Sequence, residues 1–255
     1  MEQWVRFEYL GKEGFGVLRN DHVAVYQGEM FRGSKATGEF LPTSEINLLI
    51  PSKPTKMIGL WNNFRSRAEK EGWAEPAHPL YFMKANGSFL ATGQTIRQPA
   101  SYDGPVAFEG ELGIVIGEHC TEINEGDADK YIFGYTCVND VTARGLMKED
   151  PSFVQWTRAK SFDTFGALGP AIATGLDVDS LYVKTLVDGI EHQNYPVNDM
   201  FYSPHQIVSR LSQDMTLNPG DVIACGTSLG AGPMSQGCTV EIQIDGIGTL
   251  VNSFK

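Results

Sequence analysis

The sequence predicts a mixed α+β protein that is mainly β. A roll or sandwich of strands spans residues 51–255, and a small β-rich module precedes it over residues 1–50. Three observations predict this. Apolar and polar residues alternate in short runs, as in Trp4-Val5-Arg6-Phe7-Glu8-Tyr9. Turn pairs such as Asp188-Gly189, Pro219-Gly220 and Asp245-Gly246 recur between such runs. Stretches of helical character are few and short, which argues against a βαβ doubly wound sheet.

In chain order, residues 11–14 supply a turn after the first run, and Asn20-Asp21 is a hairpin candidate between Val17-Leu18 and Val23-Ala24-Val25-Tyr26. Pro42, Pro51 and Pro54 mark a linker around residues 40–55. Met57-Ile58-Gly59-Leu60 reads as a short buried strand, and the charged stretch 64–72 as a short helix ending at Gly72. Leu80-Tyr81-Phe82-Met83-Lys84 is a strand. Val106-Ala107-Phe108 leads into a second one, which carries acids on one face through residues 109–117. Residues 131–141 are strand-like, and further strands fall at 170–174, 182–187, 222–226 and 239–244. A helix over 204–211 has Ser203 as N-cap and Pro204 at its first position.

Composition bounds the function. The chain of 255 residues carries a formal net charge of −11, with a pI near 4.9. A surface of that sign disfavours nucleic acid and anionic membrane as partners. Cys120, Cys137, Cys225 and Cys238 form no CxxC pair and no zinc-spaced cluster, and are expected as reduced buried thiols. The first residues do not read as a signal peptide, and no apolar run approaches the ~20 residues of a membrane span. The expected location is the cytoplasm.

The chemistry concentrates in acids. Glu109 and Glu111 lie two apart on a strand, so their carboxylates project from one face. Such like charges are costly unless something positive lies between them. Asp140 stands in the β-branched context Val138-Asn139-Asp140-Val141-Thr142, where an isolated charge is also costly. Three carboxylates together form an all-oxygen site suited to Mg²⁺, Mn²⁺ or Ca²⁺. On the residues alone, the alternative is exposed acids on a strand edge. Lys160, among aromatics in Trp156-Thr157-Arg158-Ala159-Lys160-Ser161-Phe162, could pair with Asp140 or snorkel at the surface. The glycine-rich stretch 218–232, with Thr227 in its middle, could offer backbone amides to a carboxylate, or be an ordinary loop.

These segments together resemble the fumarylacetoacetate hydrolase family. The matching stretches are Glu109-Gly110-Glu111-Leu112 onward, Gly134-Tyr135-Thr136 through Asp140-Val141-Thr142-Ala143-Arg144, residues 155–165 with Leu168-Gly169-Pro170, and Pro219-Gly220-Asp221-Val222-Ile223 through Gly226-Thr227. Phe82-x-Lys84 with Ser88 looks like the family's upstream strand. The resemblance covers roughly residues 56–255 and implies a family-type β-roll or β-sandwich catalytic domain, commonly dimeric. It implies Mg²⁺ or Mn²⁺ on Glu109, Glu111 and Asp140, with Lys160 beside Asp140 stabilising enolate charge. Thr227 would reach the carboxylate of a 2-oxo acid, with Gly226, Lys84 and Gln155 also beside the substrate.

One departure from the family pattern bears on the reaction. Hydrolytic members carry a histidine, and three residues later a glutamate, shortly after the Gly-Leu of the first strand. Counting from Gly59, the histidine position falls on Arg65 and the glutamate position on Ala68, with Glu69 one further on. Arginine stays protonated and cannot be a general base. It could clamp a substrate carboxylate instead. The expected activity is therefore isomerisation, tautomerisation or decarboxylation of a small 2-oxo or enol (di)acid through a metal-stabilised enolate. The alternatives are an acylpyruvate C–C hydrolase, with water activated by Glu69, His78 or the metal, and a non-catalytic metal- or ligand-binding protein.

Overall fold

The computed structural model describes residues 1–255. Its largest element is a 12-stranded sheet, and a five-stranded and a three-stranded sheet accompany it. The helices are short; the longest, Pro204–Asp214, starts with the expected Ser203 cap, which accepts from the Gln206 backbone while the Gln206 side chain returns to the Ser203 backbone. The expected helix near residue 64 spans Arg65–Glu71 and stops at Gly72 in the left-handed region (φ 70°). No helix is long and apolar enough to cross a membrane.

At the centre of the large sheet, Gly110–Ile116 pairs antiparallel with Ile132–Asp140, which in turn pairs with Gly166–Thr174. Alternation sorts the side chains of these strands onto two faces. Leu112, Ile114, Ile116, Tyr135 and Cys137 enter the main core, together with Val183, Val240, Ile242 and Leu250 of the five-stranded sheet. Val115, Val138, Leu168 and Ile172 face the other way and pack with Trp4 and Val17. The four cysteines are free and buried.

The strands Glu2–Tyr9, Lys12–Arg19, His22–Glu29 and Arg32–Pro42 form a meander. Its first strand also pairs with Gly166–Thr174, Trp4 lying opposite Ile172, so the meander extends the large sheet. The segment read as a linker around residues 40–55 begins as strand, because Leu41 is buried against Val5, Phe7 and Val23.

Candidate metal centre and its pocket

Strand register builds the acidic cluster. Glu111 lies opposite Val138, and Gly110 opposite Asn139, so Asp140 falls on the same sheet face as Glu109 and Glu111. The Asn139 side chain fixes this end of the ladder by accepting from the Glu109 backbone N–H at 3.0 Å. All three carboxylates are buried, and their nearest oxygens lie within 4.8 Å of one another.

Two lysines enter the cluster. Lys160, at the end of the short helix Trp156–Lys160, donates to Glu109 Oε2 at 2.7 Å and to Asp140 Oδ2. Lys84, the last residue of the strand Leu80–Lys84, donates to Asp140 Oδ1 and, at 3.3 Å, to the Val141 carbonyl. Arg144 reaches Glu109 Oε1 at 3.1 Å from the rim. Gly226 donates its N–H to Glu111 Oε2 at 2.8 Å.

The electrostatics divide the carboxylates. Burial disfavours the charge on Glu109, but Lys160, Arg67 and Arg144 outweigh it and hold its pKa at about 2. For Glu111, burial and then the charges of Asp140 and Glu109 push the pKa well above the ordinary carboxylate value, against the pull of Lys160 and the Gly226 N–H. Burial works against the Lys160 charge, yet the three carboxylates around it raise its pKa above that of an ordinary lysine. Burial lowers the Lys84 pKa, and Asp140 opposes that shift. A divalent cation among these oxygens would relieve the repulsion that holds Glu111 toward its neutral form. An all-carboxylate donor set is also the chemistry that hard cations favour. The residues therefore fit a divalent metal.

The cluster opens into a cavity of about 560 Å³. Glu109, Glu111, Lys160 and Thr227 line its floor, and Trp61, Trp73, Phe82 and Trp156 its wall. Thr227 is reached as expected, but its hydroxyl is committed. It donates to the Gly110 carbonyl at 2.8 Å and accepts from Gln193 Nε2 at 2.9 Å. Gly226 supports Glu111, and Lys84 lies behind Asp140, outside the cavity lining. Gln155 precedes the helix that carries Lys160, while its neighbours Val154 and Trp156 line the cavity in its place.

Arg65 and Glu69 do not join the cluster. Arg65 is the first residue of its helix and is exposed. Its guanidinium donates to the Met200 carbonyl and lies 5.1 Å from the Phe201 ring centre. Glu69 and His78 are exposed and outside the lining. Arg67 and Glu71 of the same helix line the cavity instead, two residues beyond Arg65 and three beyond Ala68, the positions that counting from Gly59 selected. The preceding strand runs through Trp61, and Asn62 takes a left-handed backbone (φ 57°) at the entry to the helix.

Sequence reasoning also missed Gln193. Its amide oxygen accepts from the Gly110 N–H at 3.0 Å and from the Thr185 hydroxyl at 2.9 Å, while its nitrogen holds Thr227. A glutamine in the mostly polar hairpin strand Ile190–Pro196 gives no sequence signal of burial. Tyr195, two residues on, donates to the Gly110 carbonyl at 2.5 Å and brackets the same peptide.

Comparison with known proteins gives a consistent set of relatives. Residues 56–255 match the fumarylacetoacetate (FAA) hydrolase C-terminal model, and residues 2–51 match an Rv2993c-like N-terminal model. Protein Rv2993c of Mycobacterium tuberculosis is 41% identical over 85% of this chain and 81% of its own length. Oxaloacetate tautomerase YisK of Bacillus subtilis is 35% identical over 82% of this chain and 73% of its own length. The crystal structure of 2-hydroxyhepta-2,4-diene-1,7-dioate isomerase from Mycobacterium marinum superposes with a TM-score of 0.91 at 35% identity, covering 100% of this chain and 98% of that one.

Proposed function

The chain belongs to the fumarylacetoacetate hydrolase family, and from that premise we propose that it is a divalent-metal-dependent enzyme that tautomerises, isomerises or decarboxylates a 2-oxo acid. The observation that carries this reading is the convergence of Glu109, Glu111 and Asp140, two of which line the floor of a cavity whose helix presents an arginine, Arg67, and no histidine. The relatives named as an oxaloacetate tautomerase and a hydroxy-diene-dioate isomerase support the same reaction class.

Glu109, Glu111 and Asp140 would hold the ion, with Mg²⁺ or Mn²⁺ as the proposed metals. When bound, the cation supplies Lewis-acid stabilisation of negative charge on an enol oxygen. Lys160 bridges Glu109 and Asp140 and is assigned as an ammonium donor to the negative charge that develops on the substrate. Arg67 adds a guanidinium that cannot take up a proton. The Thr227 hydroxyl holds the Gly110 peptide between the two glutamates, and the Thr227 backbone N–H donates to no protein acceptor and is offered to a substrate carboxylate.

A second reading rests on Glu71, a lining carboxylate outside the metal cluster, which could activate water for C–C cleavage of an acylpyruvate. One experiment separates the two. The protein is incubated with and without Mg²⁺ against oxaloacetate, a hydroxy-diene-dioate and acetylpyruvate, with enol absorbance and products followed together. The proposal expects Mg²⁺-dependent enol–keto exchange, double-bond migration or loss of CO₂, with acetylpyruvate left intact. Release of pyruvate and acetate from acetylpyruvate would establish the hydrolase in its place.

A further inference from the structure

Three of the four tryptophans of the chain, Trp61, Trp73 and Trp156, line this single cavity. All three are half-buried, so their rings are neither core nor free surface. They form a continuous series with Phe82 that starts at the metal cluster. The Lys160 ammonium lies 4.8 Å from the Phe82 ring centre. Phe82 stacks on Trp156 at 5.4 Å with an interplanar angle of 8°. Trp156 meets Trp61 at 6.0 Å, and Trp61 meets Trp73 at 4.7 Å. The Arg67 guanidinium closes the series 5.8 Å from the Trp73 ring. Leu60, Met147 and Val154 add aliphatic surface to the same space.

A short diacid would touch the floor and leave this wall bare. The cavity of about 560 Å³ falls within the ~300–1,000 Å³ of pockets that enclose drug-sized ligands. Aromatic faces in series, ended by a guanidinium, recognise flat π-systems through stacking and cation–π contact. We infer that the substrate is a 2-oxo acid bearing a planar aryl tail, with the oxo-acid head at the metal cluster and the tail along Phe82, Trp156, Trp61 and Trp73. This rests on the proposed binding of a 2-oxo acid at the metal, and it narrows the substrate class.

The test compares pyruvate with phenylpyruvate, which share the head and differ by the ring. Their Kd values are measured by titration calorimetry on the full chain, with and without Mg²⁺, in the wild type and in Trp73→Ala. The inference expects phenylpyruvate to bind about tenfold tighter or better, as stacking and burial of one ring imply, and expects Trp73→Ala to shrink that ratio. Equal Mg²⁺-dependent affinities for the two acids would overturn the aryl tail and leave the metal reading standing. An undiminished ratio in Trp73→Ala would overturn the assignment of the tail to this wall. Absence of any Mg²⁺ dependence for either acid would overturn the underlying metal reading, and the inference with it.

Discussion

Lys84 donates to Asp140 from within the core, on the carboxylate oxygen that Lys160 leaves free. Both side chains of this pair are almost wholly excluded from solvent. Asp140 thus joins two ammonium groups; its removal strands Lys84 and leaves Lys160 with Glu109 alone. Asp140→Ala should destabilise the protein by about 3–5 kcal/mol, the usual cost of leaving a buried charge unpaired. Lys84→Met, which removes the cation and keeps the bulk, should cost clearly less because Lys160 still holds Asp140. Urea denaturation of the two variants checks this order, and the reverse order would show that Lys84 is not held by that pairing.

Gly110 separates the two glutamates, and a Cβ there would lie 2.1 Å from Thr185 Oγ1 and 3.0 Å from Ile242 Cδ1. The five-stranded sheet therefore approaches the metal strand too closely for any side chain. Gly110→Ala should cost about 1–3 kcal/mol, as overpacking does, and should weaken metal binding because Glu109 and Glu111 flank the displaced residue. Thermal melts with and without Mg²⁺ read both effects.

Gln193 gives the corresponding polar test. Gln193→Leu would leave the buried Gly110 N–H and Thr185 hydroxyl without their acceptor and the Thr227 hydroxyl without its donor. A loss of about 1–3 kcal/mol for each buried group left unpaired is the expected scale. A variant as stable as the wild type by chemical denaturation would show that water replaces the amide.

Much of the site was legible because its signal is local. Glu109 and Glu111 at strand spacing, with Asp140 in an apolar run, are anomalous by charge and period alone, and pairing of the two strands brings them together. The β-rich class and the Ser203-Pro204 helix start were legible for the same reason. The fine placement of the helix after the first catalytic-domain strand was not. Counting from Gly59 selected Arg65, but the left-handed turn at Asn62 and the exposed first turn of the helix send Arg65 to Met200 and bring Arg67 and Glu71 to the cavity. Lys84 carries a strand pattern that gives no hint of which carboxylate it meets, and Gln193 acts across 83 residues of sequence on Gly110. The joining of the N-terminal meander to the large sheet depends on Trp4 packing against Ile172, a contact no local pattern encodes.

Metal binding should depend on pH with a definite sign. In the protein without metal, burial and the neighbouring Asp140 and Glu109 raise the Glu111 pKa well above the ordinary carboxylate value. A protonated Glu111 must lose its proton to become a ligand, so protons compete with the cation. Mg²⁺ affinity should rise with pH through the Glu111 titration and level off above it, with proton release visible as a dependence of the calorimetric heat on buffer ionisation enthalpy. Affinity that falls with rising pH would contradict the assignment of Glu111.

The most direct measurement of the central claim is the stoichiometry of Mn²⁺ binding to the full chain, by titration with detection of free Mn²⁺, in the wild type and in Glu111→Gln. The account predicts one saturable ion per chain in the wild type and a loss of at least about tenfold in affinity in the variant, whose neutral amide removes a ligand charge. Wild-type protein that takes up no Mn²⁺ at a single site, or a variant that binds it as tightly as the parent, would contradict it.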